Sequence, residues 1–126
     1  MSSNYFRGAS AALAALLFFF CASAPAEGLQ AVRENGRLRV AVYKDFPPFS
    51  ANGEGIDVDL AAALAAKLGL KLELFWIQPD ESVEDDLRNA VWKGHYLGGG
   101  VADVMLHAPV DPEYARRIEK VRLFGP

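Results

Sequence analysis

The chain has 126 residues, with 13 Lys and Arg against 16 Asp and Glu and a formal net charge of −3 at pH 7. This balance excludes a nucleic-acid-binding protein, which needs a strongly positive surface. A single cysteine excludes an internal disulfide, and the two histidines are too far apart in sequence to make a metal motif. We therefore predict a globular chain that carries no metal or other cofactor.

The N-terminus has the three parts of a secretory signal peptide. Arg7 supplies a positive charge, and a predominantly apolar run over residues 9–20 follows that is shorter than a membrane span. Small residues then allow cleavage after Ala26. Cys21 follows three phenylalanines, whereas lipidation requires small residues at those positions, so it belongs to the discarded segment. We predict a signal peptide at residues 1–26 and a periplasmic location, with a retained membrane anchor as the alternative.

The first strand is predicted at Arg37–Tyr43, where polar and apolar residues alternate before a continuous apolar run. Prolines 47 and 48 end it, because proline cannot donate to a β ladder, and residues 50–55 have turn composition. A helix then begins near Asp57 as its N-cap and ends at the C-cap Gly69. Its apolar residues recur every four positions and predict a face packed on a sheet: Ile56, Leu60, Leu64 and Leu68.

A second strand is predicted at Lys71–Ile77. Ser82 and Asp85 have the spacing of a capping box for the next helix, which ends at a glycine. The glycine-rich segment 95–100 predicts an irregular connection with His95 in solvent, and residues 101–106 predict a third strand. The last helix begins with Asp111 as N-cap, followed by proline at the first helical position.

Strands that alternate with helices in this way predict an α/β fold with a doubly wound parallel sheet. Ligands of such sheets bind at the carboxyl ends of the strands. In this chain those ends are residues 43–49, 78–83 and 107–114. We therefore expect the binding residues in these three segments.

Five segments carry a resemblance to a known family: 38–42 (LRVAV), 46–49 (FPPF), 55–60 (GIDVDL), 68–70 (LGL) and 102–105 (ADVM). They occur in the order and spacing found in bacterial extracellular solute-binding proteins, family 3. The chain resembles this family over nearly all of residues 27–126. The resemblance implies a type II periplasmic binding protein that captures a small polar solute and delivers it to an ABC importer permease in the inner membrane. It also implies that residues 27–126 are the N-terminal portion of lobe 1, with the second lobe absent.

The resemblance places ligand contacts at the first strand end, where the family stacks flat ligand groups against aromatic side chains. The corresponding residues here are Tyr43, Asp45, Phe46 and Phe49, of which Phe49 has a role in the core as its alternative. His107 follows the third strand and is a further candidate contact. The acids Asp57 and Asp59 are explained by helix capping and by exposure in the first turn, not by acid–base catalysis.

Asp111 and Tyr114 are also candidate ligand contacts, and here the chain departs from the family pattern. Amino-acid-binding members have threonine and arginine at these two positions to hold the ligand carboxylate. Asp111 instead satisfies the helix amides itself and adds a negative charge where a carboxylate would dock. We therefore expect a ligand other than an ordinary amino acid.

Two further functions remain open from the sequence. One is an enzyme on the same scaffold, such as a periplasmic dehydratase resembling cyclohexadienyl dehydratase, with catalytic groups in the absent lobe. The other is an accessory protein of a periplasmic quinoprotein dehydrogenase, since residues 94–100 and 107–109 resemble that branch of the family. The chain lacks a nucleophile–base pattern, so a transport receptor without enzymatic activity is the principal prediction.

Overall fold

The structure is a computed structural model that describes residues 28–125. The predicted signal peptide and the cleavage site after Ala26 lie outside these residues. Within the described part of the chain, no helix is long and apolar enough to cross a membrane. The elements, in chain order, are α1 (Leu29–Asn35), β1 (Arg37–Tyr43), β2 (Asp45–Phe46), β3 (Ser50–Ala51), α2 (Ile56–Leu68), β4 (Lys71–Ile77), α3 (Val83–Leu87), a π-helical turn (Arg88–Trp92), β5 (Val104–Met105) and α4 (Pro112–Arg117).

The central sheet has three parallel strands in the order β4-β1-β5. β4 pairs with β1 along all seven residues of both strands, and β5 pairs with the other edge of β1 opposite Val40 and Ala41. The α/β class with a parallel sheet and both long strand predictions are confirmed. Because the strands are parallel, their carboxyl ends meet at one edge, where Tyr43 is the last residue of β1.

The two faces of β1 pack against different helices, because successive side chains on a strand point in opposite directions. One face forms a buried cluster with α2 that comprises Leu38, Val40, Val42, Ala61 and Ala65. Ala41 faces the opposite way and is buried with Ala90 of the π-helical turn and with Ala102. These small contact residues allow the helix backbones to lie close to the sheet.

The buried side of α2 differs from the predicted one. Ile56 and Leu60 are 57% and 54% exposed, whereas Ala61 and Ala65 are buried. The prediction from leucine spacing is therefore wrong for the first turns, because alanines occupy the positions where the helix approaches the sheet. The later leucines pack against the core cluster in a half-buried state: Leu64 and Leu68.

Backbone carbonyls cap the N-terminus of α2, so the prediction that Asp57 is its N-cap is wrong. The helix begins at Ile56 after Gly55, and no side chain caps it. The amides of Ile56 and Asp57 donate to the carbonyls of Pro48 and Phe49, at 3.2 and 2.8 Å. The preceding loop thus satisfies the free amides of the helix, and the Asp57 carboxylate is available for another partner.

The loop after β1 is more regular than its turn composition predicts. β2 and β3 form a short antiparallel ladder, and the amide of Phe49 donates to the carbonyl of Phe46 at 2.9 Å within it. Gly55 follows with φ 130°, and a Cβ atom at this position would collide with the Phe49 carbonyl. Glycine is therefore required where the loop meets α2.

Three predicted helix ends are confirmed. Gly69 has the left-handed conformation of a C-cap, with φ 69°. Ser82 Oγ accepts a hydrogen bond from the Asp85 amide at 3.2 Å and also contacts the Asp85 carboxylate at 2.7 Å. Asp111 accepts from the amide of Tyr114 at 2.7 Å, as an N-cap does.

The third strand is shorter than the predicted range 101–106, since β5 covers only Val104–Met105. Before it, the Asp103 carboxylate accepts a hydrogen bond from the amide of Arg39 at 2.8 Å, in place of a carbonyl. After it, His107 has the left-handed φ of 64°, which turns the chain away from the ladder. A side-chain hydrogen bond before the strand and a left-handed backbone turn after it therefore limit its length.

Candidate functional site

Four rings lie together at the carboxyl edge of β1 and β5, and we call them the aromatic cluster: Tyr43, Phe46, Phe49 and His107. The ring centroids of Phe46 and Phe49 are 5.1 Å apart, and that of His107 lies 4.2 Å from Phe49 and 4.8 Å from Phe46. Phe46 is 38% exposed, whereas Phe49 is half-buried. Phe46 therefore offers ring surface to a ligand, with Phe49 and His107 packed against it.

A buried carboxylate holds the His107 ring in place. His107 Nδ1 lies 3.1 and 3.4 Å from the two carboxylate oxygens of Asp57, whose side chain is 7% exposed. A buried carboxylate requires a donor, and Nδ1 is the group that supplies it. Because Nδ1 faces Asp57, Nε2 is the ring nitrogen on the side away from that carboxylate. Asp57, which the sequence suggested as a cap, is thus a site residue.

Tyr43 connects the aromatic cluster to a second buried carboxylate. Its ring packs edge-on against Phe46 with centroids 5.9 Å apart, and its hydroxyl donates to Asp86 at 2.7 Å. Burial raises the pKa of Tyr43, and the hydrogen bond to Asp86 and the charge of that carboxylate raise it further. The phenol therefore stays protonated and continues to donate.

Asp86 is the site residue that sequence reasoning missed. It is 6% exposed and also accepts from the amide of Asp80 at 2.6 Å. In the sequence it follows Glu84 and Asp85 in the first turn of a helix, where acids are common for electrostatic reasons alone. Only its distance from Tyr43 in space distinguishes it, and the sequence contains no signal of that proximity.

Asp45 is a predicted contact that lies apart from the aromatic cluster. It is exposed in β2 and lines a small pocket of about 230 Å³ with Lys44, Asn52 and Trp76. The adjacent lysine gives this pocket charges of both signs. Asp45 is therefore next to the cluster residue Phe46 in sequence, but it lines the small pocket and does not belong to the aromatic cluster.

Asp111 and Tyr114 also lie outside the aromatic cluster. Asp111 caps its own helix, as described above, and Tyr114 is half-buried with a hydroxyl that has no hydrogen-bond partner among residues 28–125. Burial and the charge of Glu84 raise the pKa of Tyr114, while Arg117 lowers it. The ring and hydrogen-bond contacts of the described residues do not join either side chain to the cluster.

A larger pocket of about 410 Å³ lies where β4 ends, between that strand, α3 and the glycine-rich connection. We call it the β4 pocket. Its walls include Phe75, Trp76, Asp80, Asp86, Asn89 and His95. His95, predicted to lie in solvent, is in fact half-buried in this wall. Asp80 belongs to the segment 78–83, where the sequence predicted binding residues, whereas the roles of Asp86, Asn89 and His95 in this wall were not predicted.

Within residues 28–125, no group of three or more His, Cys, Asp or Glu side chains is placed to hold a metal ion. Comparison of the chain with protein-family models, with curated proteins and with solved structures gives no match. The chemistry of the site therefore rests on the residues described above.

Proposed function

We propose that residues 27–126 form part of the first lobe of an exported, periplasmic solute-binding protein with a type II, doubly wound α/β lobe. It captures a small polar solute and presents it to the permease of an ABC importer in the inner membrane. The observation that carries this proposal is the aromatic cluster, which lies at the carboxyl edge of a parallel sheet. That edge is where α/β proteins bind small ligands.

The geometry of the cluster favours binding without catalysis. Phe46 supplies an exposed ring for a flat ligand group, and His107 supplies a nitrogen fixed in direction by Asp57. Pro47 and Pro48 lie between the two phenylalanines and restrict the loop, which lowers the entropy lost when a ligand binds. A ligand with an unsaturated or apolar face and one polar group fits this surface.

The sequence resemblance supports the same proposal, because its segments surround the cluster. Residues 46–49 form the hairpin that carries both phenylalanines, residues 55–60 include the start of α2 with Asp57, and residues 102–105 include β5. These are the parts of the chain that meet at the site. The altered positions Asp111 and Tyr114 favour a solute that lacks an amino-acid carboxylate.

A thermal-shift screen of the whole secreted chain tests this function. The compounds are amino acids, polyamines, sugars, alcohols and aromatic acids. We expect one class to raise the melting temperature, because a ligand at 100 times its Kd adds about 2.7 kcal/mol to the free energy of unfolding. If no class changes the melting temperature of the folded chain, the proposal is wrong.

A second candidate function is docking on a periplasmic quinoprotein dehydrogenase. Tyr96 and Leu97 are 89% and 78% exposed in the glycine-rich connection, and neighbouring exposed apolar side chains are common at protein-binding surfaces. We expect a silent ligand screen together with saturable binding to the purified dehydrogenase if this function is the correct one. The double variant Tyr96→Ser, Leu97→Ser would then abolish the binding without unfolding the chain.

A further inference from the structure

The β4 pocket is a cavity that the proposed function does not use. Its volume of about 410 Å³ lies within the range of sites that bind small molecules. Phe75 gives it an aromatic wall, and two aspartates line the same cavity: Asp86, which is buried, and Asp80, which is exposed. Apolar walls with a few polar groups on one side are typical of a ligand site.

The carboxylates of this pocket lack a positive partner. Asp86 accepts hydrogen bonds from the Tyr43 hydroxyl and the Asp80 amide, and both of these donors are neutral. Asp80 accepts from the side-chain amide of Asn89 at 3.0 Å and from the amide of Glu81 at 2.9 Å. The ion pairs between described residues include neither aspartate. Asp86 is thus a buried carboxylate held by neutral donors alone, with the exposed acid Asp80 beside it, and a ligand cation would supply the positive charge that this pair lacks.

The cation that contacts the Phe75 ring is already paired with a carboxylate. The Arg39 guanidinium lies 4.2 Å from the centre of the Phe75 ring, but it pairs with Glu73 at 3.0 Å. Arg39 therefore does not neutralise the two aspartates.

We propose that the β4 pocket binds a small organic amine, separately from the aromatic cluster. The ammonium group contacts the carboxylates of Asp80 and Asp86, and the apolar body lies against Phe75. A bare metal ion fits less well, since the described residues offer no cluster of three metal-ligating side chains. The site selects a positive charge joined to an apolar or aromatic group.

Isothermal titration of the whole chain with 2-phenylethylamine tests the proposal, and 2-phenylethanol is the matched neutral compound. We expect one amine to bind per chain, and the alcohol to bind at least about tenfold more weakly because it lacks the charge-assisted contact. Asp80→Asn should weaken amine binding by a similar factor. Asp59→Asn, an exposed acid of α2, is the matched control and should not change it.

The proposal is overturned if the amine does not bind, if the alcohol binds equally well, or if Asp80→Asn leaves the amine affinity unchanged in a folded protein. Circular dichroism melts establish that each variant is folded. Phe46→Ala separates this site from the proposed solute site. Amine binding that survives Phe46→Ala and is lost in Asp80→Asn supports the β4 pocket, and the reverse pattern places the amine at the aromatic cluster.

Discussion

Phe46 is the residue of the aromatic cluster with the most direct access to a ligand. It is 38% exposed, and the rings of Phe49 and His107 pack against it. We predict that Phe46→Ala lowers the affinity for the solute found by screening by about tenfold or more, because interface aromatics contribute strongly to binding. Isothermal titration of the whole chain measures this change.

The stability of the Phe46→Ala variant should change little, by less than about 1 kcal/mol, since the ring is partly in solvent. Phe124→Ala is the control for removing an exposed phenylalanine elsewhere, at a position that is 82% exposed. It should leave the affinity unchanged. Normal solute binding by Phe46→Ala together with a clear loss of stability would assign this ring to the core instead of the binding surface.

At the scale of the element, α2 depends on alanine where it meets the sheet. Ala61 is fully buried against β1, whereas its neighbour Ala62 is exposed. We predict that Ala61→Leu lowers the free energy of unfolding by about 1–3 kcal/mol, because the larger side chain forces the helix away from the strand. Urea denaturation measures the change.

Ala62→Leu makes the same chemical change on the solvent side of α2. Its effect on the free energy of unfolding should stay within about 0.5 kcal/mol. Equal effects of the two substitutions would contradict the assignment of the buried side of the helix.

The elements show what the sequence could and could not predict. The ends at Gly69 and Ser82 were predictable because the groups that make a cap are close in sequence. The roles of Asp57 and Asp86 in the site were not predictable, because their partners His107 and Tyr43 are 50 and 43 residues away in the sequence. The sequence pattern assigned Asp57 to helix capping and did not single out Asp86, and only the folded chain brings each acid to its partner.

The local sequence pattern also could not predict the length of the third strand. Residues 101–106 are mostly apolar, which predicts a strand, but apolar composition does not define how far two strands pair. Pairing is limited by the side chain of Asp103 and by the left-handed turn at His107. Both effects depend on contacts or backbone angles that the hydrophobic pattern does not report.

At the scale of the whole molecule, Tyr43 makes stability depend on alkaline pH. Its pKa in the folded protein lies above the ordinary value of 10.0, so the folded chain keeps a proton that the unfolded chain releases. The contribution of Tyr43 to the free energy of unfolding is fully present below about pH 10 and falls as the pH rises above that value. We predict that Tyr43→Phe flattens this decline, as measured by urea denaturation between neutral and alkaline pH.

Tyr96→Phe is the matched control, because Tyr96 is 89% exposed. It should leave the alkaline decline in the free energy of unfolding unchanged. Some slope should remain even in Tyr43→Phe, since the pKa of Tyr114 is raised as well. Parallel pH curves for the wild type and Tyr43→Phe would show that the Tyr43 hydroxyl does not contribute to this dependence.

Tyr43 also connects the aromatic cluster to the β4 pocket, with its ring against Phe46 and its hydroxyl on Asp86. A molecule that moves Phe46 therefore acts on a wall of the β4 pocket through a single side chain. If occupancy of one site changes affinity at the other, thermodynamic reciprocity requires the same factor in both directions. The protein would then respond to two molecules at once: bound amine would change the affinity for the solute, and bound solute would change the affinity for the amine.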